Sequence, residues 1–406
     1  MERRIIQGRN EKLPSVLGGT PSFGEVLPIT RPTTADFECV SVIQKEILSS
    51  GILTNGKYVK KLEDMVSEYL GVKNVIAVSS CTSGLMLALK VLGLKGEVIL
   101  PSFTFFATAH AARWNNLSPV FADCSPDTFN IDLDSLRGLI TKRTSTLLAV
   151  HVFGNPANVE KLEQIAVEND LKLIFDSAHG FGSIYKGKMV GGFGDAEVFS
   201  LSPTKLLVAG EGGLVTTNDD VLAEKIRVGR DYGNTGDYDP QLVGLNARMA
   251  EFNAALAIKN LETIEFKVQR RNDLASVFME CFEDVPGIFF QKVEKGIRST
   301  YKDLSVIIDE NLFGLSRDEL AIVLEKENIM TKKYYFPPVH KQRFYRSQKR
   351  ELPVTDKISR NIISLPFYSH MPVHEVEIIC DVIKRIHENA SQIKNELKCC
   401  NRGSLK

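Results

Sequence analysis

Residues 74–101, NVIAVSSCTSGLMLALKVLGLKGEVILP, contain two apolar runs on either side of a helical pattern. The runs at residues 74–79 and 97–100 predict strands, and residues 83–94 predict the helix between them. A strand that is apolar along its whole length is buried on both faces, which is typical of a parallel sheet covered by helices. This stretch therefore predicts an α/β fold.

The same alternation continues as far as residue 217. We expect a large domain of residues 1–250, with a mostly parallel sheet between helices, and a smaller α/β domain of residues 251–406. A long helix over residues 248–283 would connect the two. Because ligands in such sheets bind at the carboxyl ends of the strands, the residues that follow each strand are the candidates for function. Further strands are predicted at residues 119–123, 146–152, 171–175, 197–201 and 213–217, the last two joined by a loop without a helix.

The composition argues against several classes of protein. The 406-residue chain has 50 Lys and Arg and 50 Asp and Glu, so it lacks the basic excess usual in nucleic-acid-binding proteins. No run approaches the roughly 18 apolar residues of a membrane span, and no signal-length apolar stretch follows the charged N-terminus. The seven scattered cysteines contain no CxxC pair, which argues against a zinc site. We expect a cytoplasmic protein that binds no metal, nucleic acid or membrane.

Residues 81–84, Cys-Thr-Ser-Gly, lie between a predicted strand and a predicted helix. The first turn of a helix presents free amide groups and the positive end of the helix dipole, which suits a phosphate. Thr82 and Ser83 would add hydroxyl groups. Ser and Thr also favour this position as plain helix caps, so the segment alone leaves both interpretations open.

Two further candidates follow later strands. Asp176 directly follows the LKLIF run (171–175) and is either a ligand group or a helix cap, and His179 comes three residues later. Lys205 lies in an apolar loop bounded by glycines, where a lowered pKa would suit a Schiff-base lysine, although most lysines are simply solvated. In combination, a phosphate cup, a carboxylate for a pyridinium nitrogen and a lysine are what pyridoxal 5′-phosphate (PLP) requires.

Segments along almost the whole chain resemble one family, and they follow one another in the same order as in that family. They are GILTNG (51–56), VKKLEDMVSEYLG (59–71), AVSSCTSGLMLAL (77–89), LPSFTFFAT (100–108), PVFADC (119–124), HVFGNP (151–156), FDSAHGFGS (175–183), FSLSPTK (199–205), GEGG (210–213), GLNARM (244–249), YYFPPVHKQ (334–342) and SLPF (364–367). In these segments the sequence resembles the DegT/DnrJ/StrS sugar aminotransferases, which have the type I PLP fold. The resemblance implies that fold, PLP as cofactor and a homodimer with shared active sites.

The resemblance also implies roles for individual residues. Lys205 would form the Schiff base with PLP and shuttle a proton during the reaction. Asp176 would pair with the pyridinium nitrogen. Thr82, Ser83 and Ser200 would contact the phosphate.

Two further residues match the family, and two others depart from it. Phe105 falls where the family places an aromatic ring on the cofactor, and core packing is its alternative. Asn246 matches a residue that reaches the phosphate from the partner subunit. Cys81 stands where the family often has Gly, and His179 where many members have Gln near the phenolic oxygen of the cofactor. The family's dehydratase branch has His in place of Lys205, so this chain does not fit that branch.

The sequence contains little information about substrate specificity. Thr54, Tyr335 and His340 lie in segments that approach the sugar in relatives, and each is equally compatible with a structural role. By resemblance, an amino acid, glutamate first, would donate its amino group to a keto-sugar, a nucleotide-linked keto-deoxyhexose, in amino-sugar biosynthesis. The alternatives are a cyclitol ketone as acceptor and a non-catalytic regulatory protein that retains the fold.

Overall fold

The computed structural model describes residues 13–346 and 350–403. Its strands are β1 (Asn74–Val78), β2 (Glu97–Pro101), β3 (Ser118–Ala122), β4 (Thr144–Val150), β5 (Lys172–Asp176), β6 (Ile184–Tyr185), β7 (Lys188–Met189), β8 (Ala196–Ser200), β9 (Gly213–Thr217), β10 (Ile288–Phe290), β11 (Ile297–Arg298), β12 (Leu304–Ile308) and β13 (Ile362–Leu365). Its α-helices are α1 (Phe37–Ser50), α2 (Lys57–Leu70), α3 (Cys81–Val91), α4 (Phe106–Trp114), α5 (Leu133–Arg137), α6 (Val159–Glu168), α7 (Asp220–Gly229), α8 (Glu251–Leu261), α9 (Ile264–Cys281), α10 (Glu310–Phe313), α11 (Arg317–Lys326), α12 (Pro353–Asn361), α13 (Val373–Glu388) and α14 (Ala390–Gly403).

A seven-stranded sheet forms the centre of the molecule, in the order β1-β9-β8-β5-β4-β2-β3. β9 pairs antiparallel with both β1 and β8, and the other neighbouring pairs are parallel. Because antiparallel neighbours need no crossover, a loop without a helix suffices between β8 and β9, as predicted. The predicted mostly parallel sheet is confirmed.

The continuously apolar strands are buried on both faces, as their sequence predicts. Within β1, Ile76 and Val78 pack with side chains of α3 and α7 on one face. Their neighbours Val75 and Ala77 pack with side chains of α2 on the other face. Since successive side chains of a strand point to opposite faces, such a strand requires helices on both sides of the sheet.

A smaller antiparallel sheet, in the order β10-β12-β13, packs against α9, α11 and α13. A capping box is present at the start of α11, where Ser316 and Glu319 satisfy each other's backbone amides. Phe23 and Leu27, from the N-terminal stretch, are buried in this same apolar cluster. The N-terminal segment around these two side chains thus packs with the C-terminal part of the chain. The domain boundary at residue 250 stays a prediction.

The predicted long helix over residues 248–283 is wrong as a single element. It divides into α8 and α9, with Glu262 and Thr263 between them. The carbonyl of Asn260 accepts hydrogen bonds from the Thr263 hydroxyl and from Lys267 Nζ, both at 3.3 Å. These side chains satisfy a carbonyl that a continuous helix would satisfy with a backbone amide, so the helix can end there.

Across the described residues, no helix is long and apolar enough to cross a membrane.

Candidate active site

A cavity of about 190 Å³ opens where β5 and β8 end and α3 begins. This is the edge of the sheet at which ligands of α/β folds bind. One side of the cavity is formed by predicted site residues, namely Thr82, Phe105, Asp176, His179, Ser200 and Lys205. The other side is formed by the C-terminal part of the chain, through Lys302, Asp303, Tyr334 and Tyr335.

Asp176 is the last residue of β5, and its carboxylate is buried. The Thr108 hydroxyl donates to Oδ2 at 2.7 Å, and the Ala178 amide donates to Oδ1 at 3.2 Å. Burial raises the pKa of Asp176, and the bond from Thr108 opposes that rise. A cationic group in the cavity would favour the ionised carboxylate, so Asp176 is suited to pair with one.

The N-terminus of α3 is capped by Ser80 and Ser83 in a reciprocal pair. Ser80 Oγ accepts from the Ser83 amide at 3.1 Å, and the Ser83 hydroxyl donates to the Ser80 carbonyl at 2.8 Å. The two interpretations of residues 81–84 are therefore compatible, because the cap occupies Ser83 while Thr82 lines the cavity. Helix geometry leaves the amides of Cys81 and Thr82 without intrahelical partners, and these remain for an anion.

The GEGG segment brings β9 close to this turn. A Cβ atom on Gly213 would lie 2.5 Å from the backbone nitrogen of Cys81, closer than any side chain tolerates. Glycine at this position therefore allows the strand to pack directly against the start of α3, where an anion would bind.

Lys205 lies in the loop that connects β8 to β9. Burial and then the nearby charge of Lys302 lower the pKa of Lys205 to about 8. A lysine with this pKa has a sizeable neutral fraction near neutral pH, unlike a solvated surface lysine. Ser200, at the end of β8, lines the same cavity.

Aromatic side chains complete this part of the cavity. The His179 ring lies parallel to Phe153, with ring centroids 6.4 Å apart and an interplanar angle of 12°. Burial lowers the pKa of His179 well below its usual value, and the charges of Lys205 and Lys302 lower it further. Its Nδ1 atom is buried without a hydrogen-bond partner in the part of the chain that the structure describes. Phe105 is about half exposed at the cavity, with its ring against Phe106.

The structure brings only one of the three predicted substrate residues to this cavity. Tyr335 lines it, with its ring stacked on Phe153. His340 is buried elsewhere, with Nδ1 2.7 Å from the Ser102 hydroxyl. Thr54 is exposed and its backbone pairs with Ala250. Asn246 is also exposed, and it accepts a hydrogen bond from Arg248 outside the cavity of its own chain.

The residues of the site that the sequence did not predict include Thr108, Lys302, Asp303 and Tyr334. Thr108 lies inside a helix, and nothing in its local sequence connects it with Asp176. Lys302 and Asp303 form an adjacent charged pair directly before the apolar strand β12. That pair is a usable signal, since two charges seldom enter a buried region without a partner or a function.

The residues around the cavity fit PLP. The buried Asp176 carboxylate suits a protonated ring nitrogen, and the orphaned Nδ1 of His179 suits a polar ring substituent. The first turn of α3 suits a phosphate, and the Lys205 amine suits a covalent bond to the cofactor. Within residues 13–346 and 350–403, no group of three or more His, Cys, Asp or Glu side chains is placed to hold a metal ion.

A sequence model of the DegT/DnrJ/EryC1/StrS aminotransferase family matches residues 40–384. The chain belongs to this family. Like other DegT/DnrJ/EryC1/StrS aminotransferases it is a PLP-dependent sugar aminotransferase. The resemblance stated from the sequence segments is thereby confirmed.

Individual members of the DegT/DnrJ/EryC1/StrS family are similar over nearly their whole length. The dTDP-4-amino-4,6-dideoxy-D-glucose transaminase of Escherichia coli is 30% identical over 368 residues, which cover 89% of this chain and 98% of that protein. The dTDP-3-amino-3,6-dideoxy-alpha-D-galactopyranose transaminase of Aneurinibacillus thermoaerophilus is 34% identical over 343 residues, which cover 84% and 93%. The crystal structure of DesI in the presence of its TDP-sugar product superposes with a TM-score of 0.89 and 34% identity, covering 96% of this chain and 98% of DesI. The predicted aminotransferase fold is confirmed.

Proposed function

We propose that the chain transfers the amino group of an amino acid, glutamate in particular, to the ketone of a nucleotide-linked keto-deoxyhexose. The observation that carries this proposal is the convergence of Asp176, the first turn of α3 and Lys205 on one cavity. The names of the relatives support the acceptor class, because the Escherichia coli and Aneurinibacillus thermoaerophilus enzymes are both named for dTDP-linked aminodideoxy sugars.

Different residues of the cavity would bind different parts of the cofactor. Asp176 would keep the ring nitrogen protonated, and Phe105 and His179 would hold the ring, His179 through its polar substituent. The amides at the start of α3 and the hydroxyls of Thr82 and Ser200 would hold the phosphate, while Ser83 fixes the turn as part of its cap. When bound, PLP carries the amino group between the two reactants and withdraws electrons from the carbon that loses its proton.

Lys205 has two tasks in this proposal. Its amine bonds to the cofactor, and when released it moves a proton at the reacting carbon. Both tasks require the neutral amine. Because burial lowers its pKa to about 8, that form is accessible near neutral pH without a separate base.

We also propose a homodimer with shared active sites. Asn246 and Thr54 are exposed on adjoining segments, since Thr54 pairs with Ala250 four residues after Asn246. The side chains of Phe37, Leu48 and Ile52 add exposed apolar surface in and just after α1. Exposed apolar groups of this size support a protein interface, through which Thr54 and Asn246 would reach the partner's cavity.

Product analysis tests the acceptor class. The protein is incubated with glutamate, PLP and, in separate reactions, a panel of nucleotide-linked keto-deoxyhexoses and a cyclitol ketone. We expect mass spectrometry to detect an amino sugar with at least one nucleotide-linked acceptor and none with the Lys205→Ala variant. Amination of the cyclitol ketone alone, or of no acceptor at all, would contradict the proposal.

A further inference from the structure

We infer that Lys302 and Asp303 bind the hydroxyl groups of the sugar acceptor next to its reacting ketone, with the Tyr334 ring as an apolar wall. This inference rests on the proposed function, because it concerns the acceptor of that same reaction. Lys302, Asp303 and Tyr334 line the cavity, and none of them has a role in binding the cofactor.

Lys302 and Asp303 form an ion pair that lines the cavity beside Tyr334 and Tyr335. Lys302 Nζ lies 2.8 Å from Asp303 Oδ1 and 3.0 Å from Oδ2. The two residues are only 6% and 8% exposed, so both charges are largely removed from bulk water. A buried ion pair contributes little net stability compared with well-packed apolar side chains. Its presence in the wall of an active-site cavity therefore favours a role in binding.

The backbone around the pair is fixed from two sides. The Lys302 amide donates to the Phe153 carbonyl at 2.8 Å, and the Arg271 guanidinium donates to the carbonyls of Tyr301 and Lys302 at 2.8 and 2.9 Å. Binding groups held in this way lose little conformational entropy when a ligand arrives.

The pair retains hydrogen-bonding capacity on the cavity side. An ammonium has three N–H groups and a carboxylate has about four acceptor positions. Two N–H groups are directed to Asp303, which leaves one donor on Lys302 and about two acceptor positions on Asp303. A hydroxyl both donates and accepts, so neighbouring hydroxyls of a sugar ring match this set. Lys302 Nζ lies 5.6 Å from the centroid of the Tyr334 ring, which places an apolar surface beside the polar pair.

The charges of the pair favour the sugar over the amino acid as its ligand. The carboxylate of an amino acid would be attracted by Lys302 and repelled by Asp303, and the two effects largely offset each other. A neutral hydroxyl meets no such opposition. We therefore expect the pair to affect the half-reaction with the sugar and to leave the half-reaction with the amino acid nearly unchanged.

The Asp303→Asn variant tests the inference with the two half-reactions measured separately. Stopped-flow absorbance follows the cofactor on mixing with glutamate, and then the aminated enzyme on mixing with dTDP-4-keto-6-deoxy-D-glucose. This probe is the ketone that corresponds to the amino sugar in the name of the Escherichia coli relative. We expect kcat/KM for the sugar to fall about tenfold or more, chiefly through KM. The rate at saturating glutamate should not fall, because the Lys302 charge that is left uncompensated attracts a carboxylate.

Asp64→Asn is the matched control. Asp64 forms an ion pair of the same 2.8 Å length with Lys60 on the exposed surface of α2, so the same substitution there should leave both half-reactions unchanged. If Asp303→Asn fails to fold, the double variant Lys302→Met with Asp303→Leu removes both charges and leaves none unpaired. It should bind PLP and show the same selective loss with the sugar.

The outcomes separate this inference from the proposed function. If the wild-type protein aminates the probe and Asp303→Asn loses the sugar half-reaction selectively, the inference is supported. Equal losses in both half-reactions, a larger loss with glutamate, or no change would overturn it while leaving the proposed function intact. If the wild-type protein reacts with glutamate but aminates no nucleotide-linked keto-sugar, the proposed function fails and this inference fails with it.

Discussion

Replacing Thr108 by valine tests whether the chain holds the Asp176 carboxylate ready for a cationic ring nitrogen. The Thr108 hydroxyl lies 2.7 Å from Asp176 Oδ2, 2.9 Å from the Thr104 hydroxyl and 3.0 Å from the Phe105 carbonyl. A hydroxyl has one proton, and the short contact with a carboxylate is the strongest of the three. Thr108 therefore donates to Asp176 and accepts from Thr104.

The expected magnitude follows from this single bond. A hydrogen bond to a charged group contributes about 1.5–3 kcal/mol, and one pKa unit corresponds to about 1.4 kcal/mol. Thr108→Val should therefore raise the pKa of Asp176, which burial already raises, by about one to two further units. Cofactor binding requires the ionised carboxylate. As the pH falls, affinity for PLP should thus begin to weaken about one to two pH units earlier in the variant.

A titration of cofactor-free protein with PLP, repeated from acidic to alkaline pH, measures this shift. Below the pKa of Asp176 in both proteins, the variant should bind about 10- to 100-fold more weakly, and well above it the two should converge. Titration of the cofactor itself is common to all variants and cancels in the comparison. Thr108→Ser keeps the hydroxyl and should follow the wild-type curve. Coincident curves for valine and wild type, or an equal shift with serine, would refute the reasoning.

The remaining predictions concern chemistry, assembly and stability. Lys205→Ala should abolish transamination, because bond formation to the cofactor and proton transfer use the same amine; wild-type turnover by this variant would contradict that assignment. In cofactor-free protein, the rate of covalent PLP capture should rise as pH increases through about 8, where the Lys205 amine loses its proton, and a flat profile in stopped-flow measurements would argue against it. Asn246→Ala should weaken PLP binding about tenfold in a dimer, and gel filtration showing a monomer with full cofactor occupancy would exclude a shared site. Glu251→Gln should lower the free energy of unfolding in urea by about 2 kcal/mol, because its carboxylate accepts three backbone amides at the start of α2 at 2.8–2.9 Å; an unchanged urea midpoint would contradict this.

The elements that were predictable from sequence depend on local patterns. Strands such as β1 are apolar throughout, and their burial on both faces follows from that pattern. The start of α11 at Ser316 follows from its capping box. The break between α8 and α9 depends on Asn260, whose side chain also bonds Val208 and Ala35 from distant parts of the chain. Such contacts exist only after folding, so periodicity alone suggested one continuous helix.

The candidate site also contains residues that the sequence predicts and residues that only tertiary packing brings to it. Thr82, Asp176 and Lys205 follow strands of the central sheet or open a helix beside it, and the rule for ligand positions in α/β folds selects them. Lys302 and Asp303 precede a strand of the second sheet, so the rule does not apply to them. They reach the cavity through the packing of the C-terminal part against the central sheet, which no local pattern encodes.

The most direct test of PLP-dependent transamination through Lys205 is an absorbance spectrum of the purified protein with PLP, before and after glutamate is added. We expect a band in the visible range that moves to shorter wavelength with glutamate and is absent from the Lys205→Ala variant. A protein that shows no such band even with added PLP, or whose band does not respond to glutamate or any other amino acid, would contradict the account.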